Sequence, residues 1–209
     1  RQVTWILKKG IIANPNCSTI QLVVVLKPIL DNVGIKRVVV SSYQSTSGAG
    51  RRAMEELSQQ TVGIFSSKDY KVEIFPKRIA FNCIPQIGNF EKNGYTAEEM
   101  KIINETKKIL SSNIPITATT VRVPVFYTHS ESVNVETFDT IDVEELRDLF
   151  KNSQGISLYD DINNNEYPTA VDVAGKDDVF VGRIRKDESI KSGFNMWIVA
   201  DNIRKGAAL

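Results

Sequence analysis

The chain lacks several features that would place it in a specialised class of protein. Its 209 residues hold two cysteines, Cys17 and Cys83, and one histidine, so neither a disulfide framework nor a metal site is expected. Lysine and arginine number 26 against 25 aspartates and glutamates, a balance that excludes a strongly basic surface for nucleic acid. No apolar run approaches the roughly 18 residues of a membrane span, and no secretory leader is evident. These absences favour a reducing, cytoplasmic environment.

A glycine-rich phosphate loop is also missing. The nearest candidate is Gly48-Ala49-Gly50, which lacks the third glycine of a dinucleotide-binding fingerprint. The sequence therefore does not predict a nucleotide site of its own.

What the sequence does contain is a stretch where a strand turns into a helix. Between the strand-like residues 10–13 and the apolar run 20–26 lie asparagines, a proline and hydroxyl residues, which favour turns and helix N-caps. Cys17 therefore falls in the first turn of a helix, where free N–H groups and the helix dipole stabilise a thiolate or an oxyanion. Such a cysteine is a candidate nucleophile and is expected to alkylate before Cys83. The alternative is a small, inert residue at the start of a buried helix.

Hydrophobic periodicity and turn signals predict one α/β domain with a mixed sheet. The first predicted helix runs from Cys17 through Pro28, where a kink is expected. Further helices are predicted over 51–61, from the N-cap Thr96 to 110, from the N-cap Asp142 to 150, and as a final pattern over 203–209. Strands are predicted at 36–43, 79–84, 116–125, 132–138, 179–185 and 195–200, with polar irregular segments at 62–78 and 154–165.

The string Asn-Pro-Asn-Cys-Ser-Thr-Ile-Gln at 14–21 resembles the active-site signature of the aspartate-β-semialdehyde dehydrogenase family. Further matching strings follow in the family's order at 43–50, 81–87, 98–101, 121–125, 129–131 and 181–186. Several strings in one order are more specific than a single short motif. The resemblance implies a domain like the carboxyl-terminal domain of glyceraldehyde-3-phosphate dehydrogenase, with a mixed, largely antiparallel sheet and helices on one face.

The resemblance also implies how the chain relates to a longer enzyme. Residues 1–209 would form a single catalytic and dimerisation domain, without the amino-terminal NADP-binding domain and the last helix of family members. NADP would then be bound mainly by the absent domain, and any cofactor-binding residues of this chain are unknown. The implied partners are a small-molecule substrate and a second copy of the chain, with no nucleic acid and no membrane.

Three residues are implied as catalytic: Cys17 as nucleophile, His129 as acid and base, and Gln44 beside the nucleophile. By itself a lone histidine is more often a surface or structural residue. His129 lies seven residues after Arg122, and an odd separation places two side chains on opposite faces of an unbroken strand. The two share a site only if the chain bends between Pro124 and Thr128.

Substrate binding is implied for four residues. Glu98 would contact the substrate ammonium, Arg122 the α-carboxylate, Lys101 the phosphate, and Asn16 the phosphate or the N-terminus of its helix. Glu98 and Lys101 lie three apart on a predicted helix, so an exposed helical ion pair is the simpler interpretation.

The implied reaction is reductive dephosphorylation of L-4-aspartyl phosphate to L-aspartate 4-semialdehyde with NADPH, through a cysteine thioester and without a metal. This step feeds lysine, methionine and threonine synthesis. Three alternatives stay open: an N-acetyl-γ-glutamyl-phosphate reductase, against which Glu98 argues, a thiol hydrolase using Cys17 and His129, and a dimerisation module without turnover.

The remaining polar residues are given smaller roles. Cys83 is expected to be inert, and the adjacent carboxylates Asp160-Asp161 are assigned no catalytic role. The basic residues Arg183, Arg185 and Lys186 are expected to line a strand near the subunit interface or the nucleotide.

Overall fold

The computed structural model describes residues 13–207, so most of the predicted 10–13 strand and the end of the 203–209 helical pattern lie outside the described residues. The helices are α1 (Cys17–Val33), α2 (Arg51–Ser66), α3 (Ala97–Ile109), α4 (Val143–Lys151) and α5 (Ala170–Val173). The strands are β1 (Ile35–Gln44), β2 (Ile116–Arg122), β3 (His129–Thr137), β4 (Ile156–Leu158), β5 (Val179–Lys186) and β6 (Gly193–Ala200). Short 3₁₀ turns span Thr46–Ala49 and Ile162–Asn164, and a π-helical turn spans Ile203–Ala207.

The strands form one sheet in the order β2-β1-β3-β6-β5-β4. The three central pairs are antiparallel, whereas β2 and β4 pair in parallel with their neighbours at the two edges. The predicted mixed, largely antiparallel sheet is confirmed. Because β1 and β3 are interior strands with a neighbour on each side, their side chains on the covered face are buried.

One face of the sheet is covered by α1, α3 and α4, which bury a continuous apolar core against it. Leu22, Val25, Leu26 and Ile29 of α1 are fully buried, at the spacing that places them on one side of a helix. The helix continues through Pro28 to Val33. Asn16, Thr96 and Asp142 cap α1, α3 and α4 as predicted, and the caps of α3 and α4 are capping boxes.

The predicted strand at 79–84 is wrong. The backbone N–H groups of Ile79 and Ala80 donate to Gln60 Oε1 at 2.9 and 3.0 Å, and Ile84 forms only an isolated bridge with Arg122. A side-chain amide of α2 therefore binds the groups that a neighbouring strand would have paired. The apolar residues of this segment pack instead in a second, smaller core against α2.

Other boundaries differ for local reasons. The helix predicted over 51–61 continues to Ser66, and the segment after it folds back because Glu56 Oε2 accepts from the N–H groups of Glu73 and Ile74. β4 lies inside the predicted irregular segment 154–165; its three residues are too few to give a periodic signal, and pairing with β5 forms it.

Among residues 13–207, no helix combines the length and the hydropathy needed to cross a membrane.

Candidate active site

Polar residues occupy one half of the covered face of β1 and β3. These polar side chains and the valines of the other half are each at most 1% exposed. The two halves are therefore equally buried, although their chemistry differs. The cross-strand pairs run in the order Val38–Val135, Val40–Val133, Ser42–Glu131 and Gln44–His129.

Gln44 lies at the centre of this polar half. It pairs with Arg122 of β2 on one side and with His129 of β3 on the other. Its Nε2 donates to Ser18 Oγ at 2.8 Å, and Ser18 is the residue after Cys17. Gln44 thus contacts the first turn of α1 from a strand that lies between those of Arg122 and His129.

A bend between β2 and β3 brings Arg122 and His129 to the same face, as their odd separation required. β2 ends at Arg122, β3 begins at His129, and Thr128 between them has φ +68°. The bend is fixed by the N–H groups of Thr46 and Ser47, which donate to the carbonyls of Val125 and Phe126. The single predicted strand over 116–125 is therefore shorter, and β3 starts before residue 132.

Cys17 begins α1, and Asn16 Oδ1 caps the helix by accepting from the N–H groups of Ser18 at 3.0 Å and Thr19 at 3.2 Å. Burial raises the pKa of the Cys17 thiol to about 11, helped by the Glu98 carboxylate and opposed by the Ser18 N–H and Arg122. The expected stabilised thiolate is therefore a neutral thiol at pH 7. The helix end does favour the thiolate, but desolvation, which sequence does not reveal, is the larger effect.

Glu98 ties the acidic helix α3 to the nucleophile. Its Oε1 accepts from Asn16 Nδ2 at 2.8 Å and from Gln44 Nε2 at 3.4 Å, and Lys101 Nζ lies 3.7 Å from its Oε2. Glu98 is only 9% exposed, so it is not simply one member of a surface ion pair with Lys101. Its carboxylate also orients the side-chain amides of Asn16 and Gln44 near Cys17.

Arg122 and His129 adjoin the same turn. Arg122 Nη1 donates to the Ser45 carbonyl at 2.6 Å, and the Ser45 N–H donates to His129 Nδ1 at 3.1 Å. A Cβ on Gly48 would lie 3.1 Å from both Arg122 Nη1 and His129 Nε2, so glycine keeps the space beside these two groups open. Burial and the Arg122 charge lower the pKa of His129 to about 3.

The structure thus brings all seven predicted site residues into one cluster: Cys17, Gln44, His129, Asn16, Glu98, Lys101 and Arg122. Sequence reasoning missed five residues that neighbour this cluster. Two of them, Ser45 and Glu131, lie in the strings 43–50 and 129–131 that resemble the family. These neighbours are Ser45, Glu105, Glu131, Asn202 and Gly206.

Two of the missed residues shape the surroundings of Cys17. Glu105 Oε2 accepts from the Asn16 N–H at 2.7 Å. A Cβ on Gly206 would lie 2.5 Å from the Cys17 Cβ, so only glycine allows the π-helical turn to pack there. No local sequence pattern indicates either contact, because each joins segments that are far apart in the sequence.

The remaining residues singled out in the sequence lie outside this cluster. Cys83 is exposed. Asp160 pairs with Arg147 and accepts from the Arg183 N–H, and Asp161 caps the second 3₁₀ turn, so both have structural contacts. Within residues 13–207, no group of three His, Cys, Asp or Glu side chains is placed to hold a metal ion.

Comparison with known proteins gives a consistent result. The family model described as semialdehyde dehydrogenase, dimerisation domain, matches residues 26–205. Aspartate-semialdehyde dehydrogenase of Aquifex aeolicus is 56% identical over 203 residues, covering 96% of this chain and 60% of that protein. The same enzyme of Legionella pneumophila is 51% identical, covering 96% of this chain and 58% of that protein.

A solved structure agrees with the sequence comparisons. Aspartate semialdehyde dehydrogenase II from Vibrio cholerae, crystallised in complex with ASA, superposes with a TM-score of 0.92 at 52% identity, over 95% of this chain and 59% of that one. The chain therefore spans about 60% of the length of these relatives. By the match over 26–205, this chain belongs to the semialdehyde dehydrogenase dimerisation-domain family.

Proposed function

We propose that this chain is the catalytic and dimerisation domain of an aspartate-semialdehyde dehydrogenase that reduces L-4-aspartyl phosphate to L-aspartate 4-semialdehyde. The supporting observation is a single cluster around Cys17: Glu98 accepts from Asn16 and Gln44, and Arg122 lies near enough for its charge to lower the pKa of the thiol. A carboxylate and a guanidinium beside a thiol match a substrate with a free ammonium, a carboxylate and an acyl group.

Each charged group of the substrate has a partner in this arrangement. Glu98 binds the ammonium, and Arg122 binds the α-carboxylate with the donors that Ser45 does not use. Lys101, more than half exposed, binds the phosphate. A substrate without a free ammonium, such as N-acetyl-γ-glutamyl phosphate, would leave Glu98 without its cation.

The chain's own residues account for acyl transfer. The Cys17 sulfur attacks the acyl carbon, a C–S bond forms and the C–O bond to phosphate breaks, and the thiol proton leaves on the phosphate. In this proposal the backbone N–H of Cys17 and His129 Nε2 donate to the carbonyl oxygen as it gains charge. The Ser18 N–H and Arg122 favour the thiolate as it forms.

NADPH, when bound, supplies the hydride that reduces the thioester. The turn Thr46–Ala49 does not fit its phosphates, because the N–H groups of Thr46, Ser47, Gly48 and Gly50 all donate to backbone carbonyls of the chain. We therefore place the nucleotide-binding residues in a further domain and derive no step through the cofactor. A free thiol nucleophile requires a reducing compartment, so the proposed location is the cytoplasm.

The face of the sheet opposite α1, α3 and α4 is the proposed dimer surface. It carries the aromatic pair Tyr43–Trp197, with ring centroids 5.4 Å apart, beside a groove of about 530 Å³ that Arg185 also lines. Partly exposed aromatic and arginine side chains are typical of interfaces, and the matching family is described as a dimerisation domain.

The test is turnover after the missing part is supplied. We would join this chain behind the amino-terminal part of the Aquifex aeolicus relative and follow NADPH oxidation with L-4-aspartyl phosphate. Cys17→Ser should abolish turnover, whereas the matched control Cys83→Ser should retain it. Equal rates in the two variants would refute the proposed function.

A further inference from the structure

The N-terminus of α1 is capped in a different way from those of α3 and α4. In α3 and α4 the third helical residue, Glu99 or Glu145, returns its carboxylate to the N–H group of the N-cap residue. The third residue of α1 is Thr19, which is fully buried and whose hydroxyl lies 3.5 Å from Asn16 Oδ1. The first turn of α1 therefore has no acidic residue of its own to complete its cap.

The acceptor that completes this cap comes from α3. Glu105 Oε2 accepts from the Asn16 N–H at 2.7 Å, across 89 positions of sequence. Glu98 lies about two helical turns before Glu105 on the same side of α3, and its Oε1 accepts from Asn16 Nδ2 at 2.8 Å. Two carboxylates of one helix thus hold the N-cap residue of another, one through its backbone and one through its side chain.

These contacts fix the residue directly before the nucleophile. Asn16 Oδ1 accepts from the N–H groups of Ser18 and Thr19, and the Asn16 carbonyl accepts from the Ile20 N–H at 2.9 Å. The backbone N–H, the carbonyl and the side chain of Asn16 are therefore all hydrogen-bonded. Because the next peptide group carries the Cys17 N–H, the orientation of that N–H follows from the position of Asn16.

We propose that Glu105 is a positioning residue for the nucleophile: it completes the cap of α1 from α3 and so places the Cys17 thiol and N–H group for attack on an acyl group. Glu105 acts on the substrate only through Asn16 and Cys17. That the acyl group is an aspartyl group rests on the proposed function, whereas the cap does not.

Glu105 and Glu98 differ in how they affect Cys17. The charge of Glu98 raises the pKa of the thiol, whereas the N–H groups of Ser18 and Cys17 lower it. Those two N–H groups belong to the turn that Asn16 caps, so the anchor at Glu105 acts through geometry. A displacement of about 1 Å at a reacting group is enough to slow a reaction by about 10²-fold.

The cap itself is tested by amide hydrogen exchange, followed by NMR on the chain. In the native chain and in Glu105→Gln, the Asn16 N–H should exchange at least about tenfold more slowly than in Glu105→Ala, because an amide oxygen also accepts a hydrogen bond. Equal exchange of this N–H in the native chain and in Glu105→Ala would overturn the proposal.

The effect on the nucleophile is tested by single-turnover acylation, which needs no NADPH, in chains that all carry Cys83→Ser. With L-4-aspartyl phosphate, Glu105→Ala should lower the maximal rate by about 10–10²-fold. The half-saturating concentration should stay the same, because Glu105 does not touch the substrate. Glu105→Gln should stay within about threefold of the native rate, because its amide oxygen still accepts from the Asn16 N–H.

A second variant separates geometry from charge. Glu105→Asp keeps the negative charge but withdraws the accepting oxygen by one methylene group, so it should be slowed like Glu105→Ala. This variant also tests the proposal if Glu105→Ala does not fold. A fast Glu105→Asp together with a slow Glu105→Gln would show that the charge matters, and would overturn positioning through the hydrogen bond.

The matched control is Glu145→Ala, which removes the corresponding contact from α4, a helix that holds none of the seven site residues. Both alanine variants lose one acceptor for an N-cap N–H, so we expect similar small decreases in the midpoint of thermal unfolding. Only Glu105→Ala should slow acylation. Equal acylation rates in the two variants would reduce Glu105 to a structural cap and overturn the proposal.

An activated ester, p-nitrophenyl acetate, distinguishes this inference from the proposed function, because it carries no ammonium, carboxylate or phosphate. If the ester acylates Cys17 and only Glu105→Ala and Glu105→Asp are slow, the inference is supported, even where L-4-aspartyl phosphate does not react and the proposed function fails. If both reagents acylate the native chain and these two variants react as fast, the inference fails and the proposed function stands.

Discussion

The two halves of the covered face of β1 and β3 have the same burial and opposite chemistry. In one half, valine faces valine across the strands; in the other, Ser42 faces Glu131 and Gln44 faces His129. The apolar half gains free energy from removing hydrocarbon from water, whereas the polar half must find partners for every buried atom. The apolar half therefore stabilises the fold, whereas the polar half lowers its stability and holds the reactive groups.

The polar half does not find all of its partners. Both carboxyl oxygens of Glu131 and both amide atoms of Gln21 lack a hydrogen bond of good geometry in the described part of the chain, as does His129 Nε2. Gln21 follows Cys17 by one helical turn, and its nearby amide partly offsets the effect of burial on the pKa of Glu131. Such unsatisfied groups are typical of functional sites, where catalysis tolerates a cost to folding.

The largest expected effect belongs to Arg122. Arg122→Leu should slow acylation at low substrate concentration by about 10²–10³-fold, because a buried, hydrogen-bonded cation that binds the α-carboxylate is lost. The control is Arg37→Leu, an exposed arginine on the same sheet, which should react normally. Similar rates in the two variants would remove Arg122 from the substrate site.

Val133→Ala tests the apolar half. Deleting two buried methyl groups at a position 1% exposed should lower the free energy of unfolding by about 2–3 kcal/mol, equally at every pH. Val171→Ala, at a position 87% exposed, should change it by less than about 0.5 kcal/mol. Denaturant titration measures both, and equal losses would contradict the assignment of stability to this half.

The polar half is tested by measuring how the free energy of unfolding depends on pH in the native chain and in Glu131→Gln. The folded pKa of Glu131, about 8, lies above its ordinary value of 4.5, so the folded chain keeps a proton that the unfolded chain has lost, and stability falls as pH rises between these values. His129 acts oppositely: its folded pKa of about 3 lies below 6.5, so stability falls as pH drops from 6.5 to 3.

The two effects oppose each other between pH 4.5 and 6.5, so the Glu131 effect is isolated from pH 6.5 to 8. There the free energy of unfolding should fall by about 1.4 kcal/mol per pH unit in the native chain. Glu131→Gln should abolish this slope, and Glu136→Gln, on the other face of β3, should retain it. A slope that survives in Glu131→Gln would show that it does not arise from the protonation of Glu131.

The smallest expected effect concerns Glu98 and the thiol. Because the Glu98 carboxylate raises the pKa of Cys17, Glu98→Gln should lower it and speed alkylation by iodoacetamide several-fold at pH 8. Exposed Cys83 serves as the internal reference in each sample. An unchanged ratio of the two labelling rates would show that Glu98 does not influence the nucleophile.

Local signals predicted much of the fold. The N-caps at Asn16, Thr96 and Asp142 and the β-branched strand β1 are encoded within a few residues, and the structure confirms them. The failures come from long-range contacts: Gln60 binds the backbone of Ile79 from another segment, and three-residue β4 exists only because β5 lies beside it. Short-range periodicity carries no information about such partners.

The candidate site shows the same division. The resemblance and the Arg122–His129 spacing identified the charged residues, and the required bend is present. The pKa of Cys17 was predicted in the wrong direction, because the packing of Gly206 and α3 around it is a property of the folded chain. Ser45 has no conspicuous chemistry in the sequence, and only its backbone contacts reveal its place.

The most direct test of the account is to capture the acyl-enzyme on this chain without a cofactor. Incubation with L-4-aspartyl phosphate, acid quench and peptide mass spectrometry would locate a hydroxylamine-sensitive aspartyl thioester, with phosphate release measured in parallel. The account predicts one aspartyl group on Cys17, one phosphate released per group, and no adduct on Cys83. Phosphate release without an adduct, or an adduct on Cys83, would contradict Cys17 as the nucleophile.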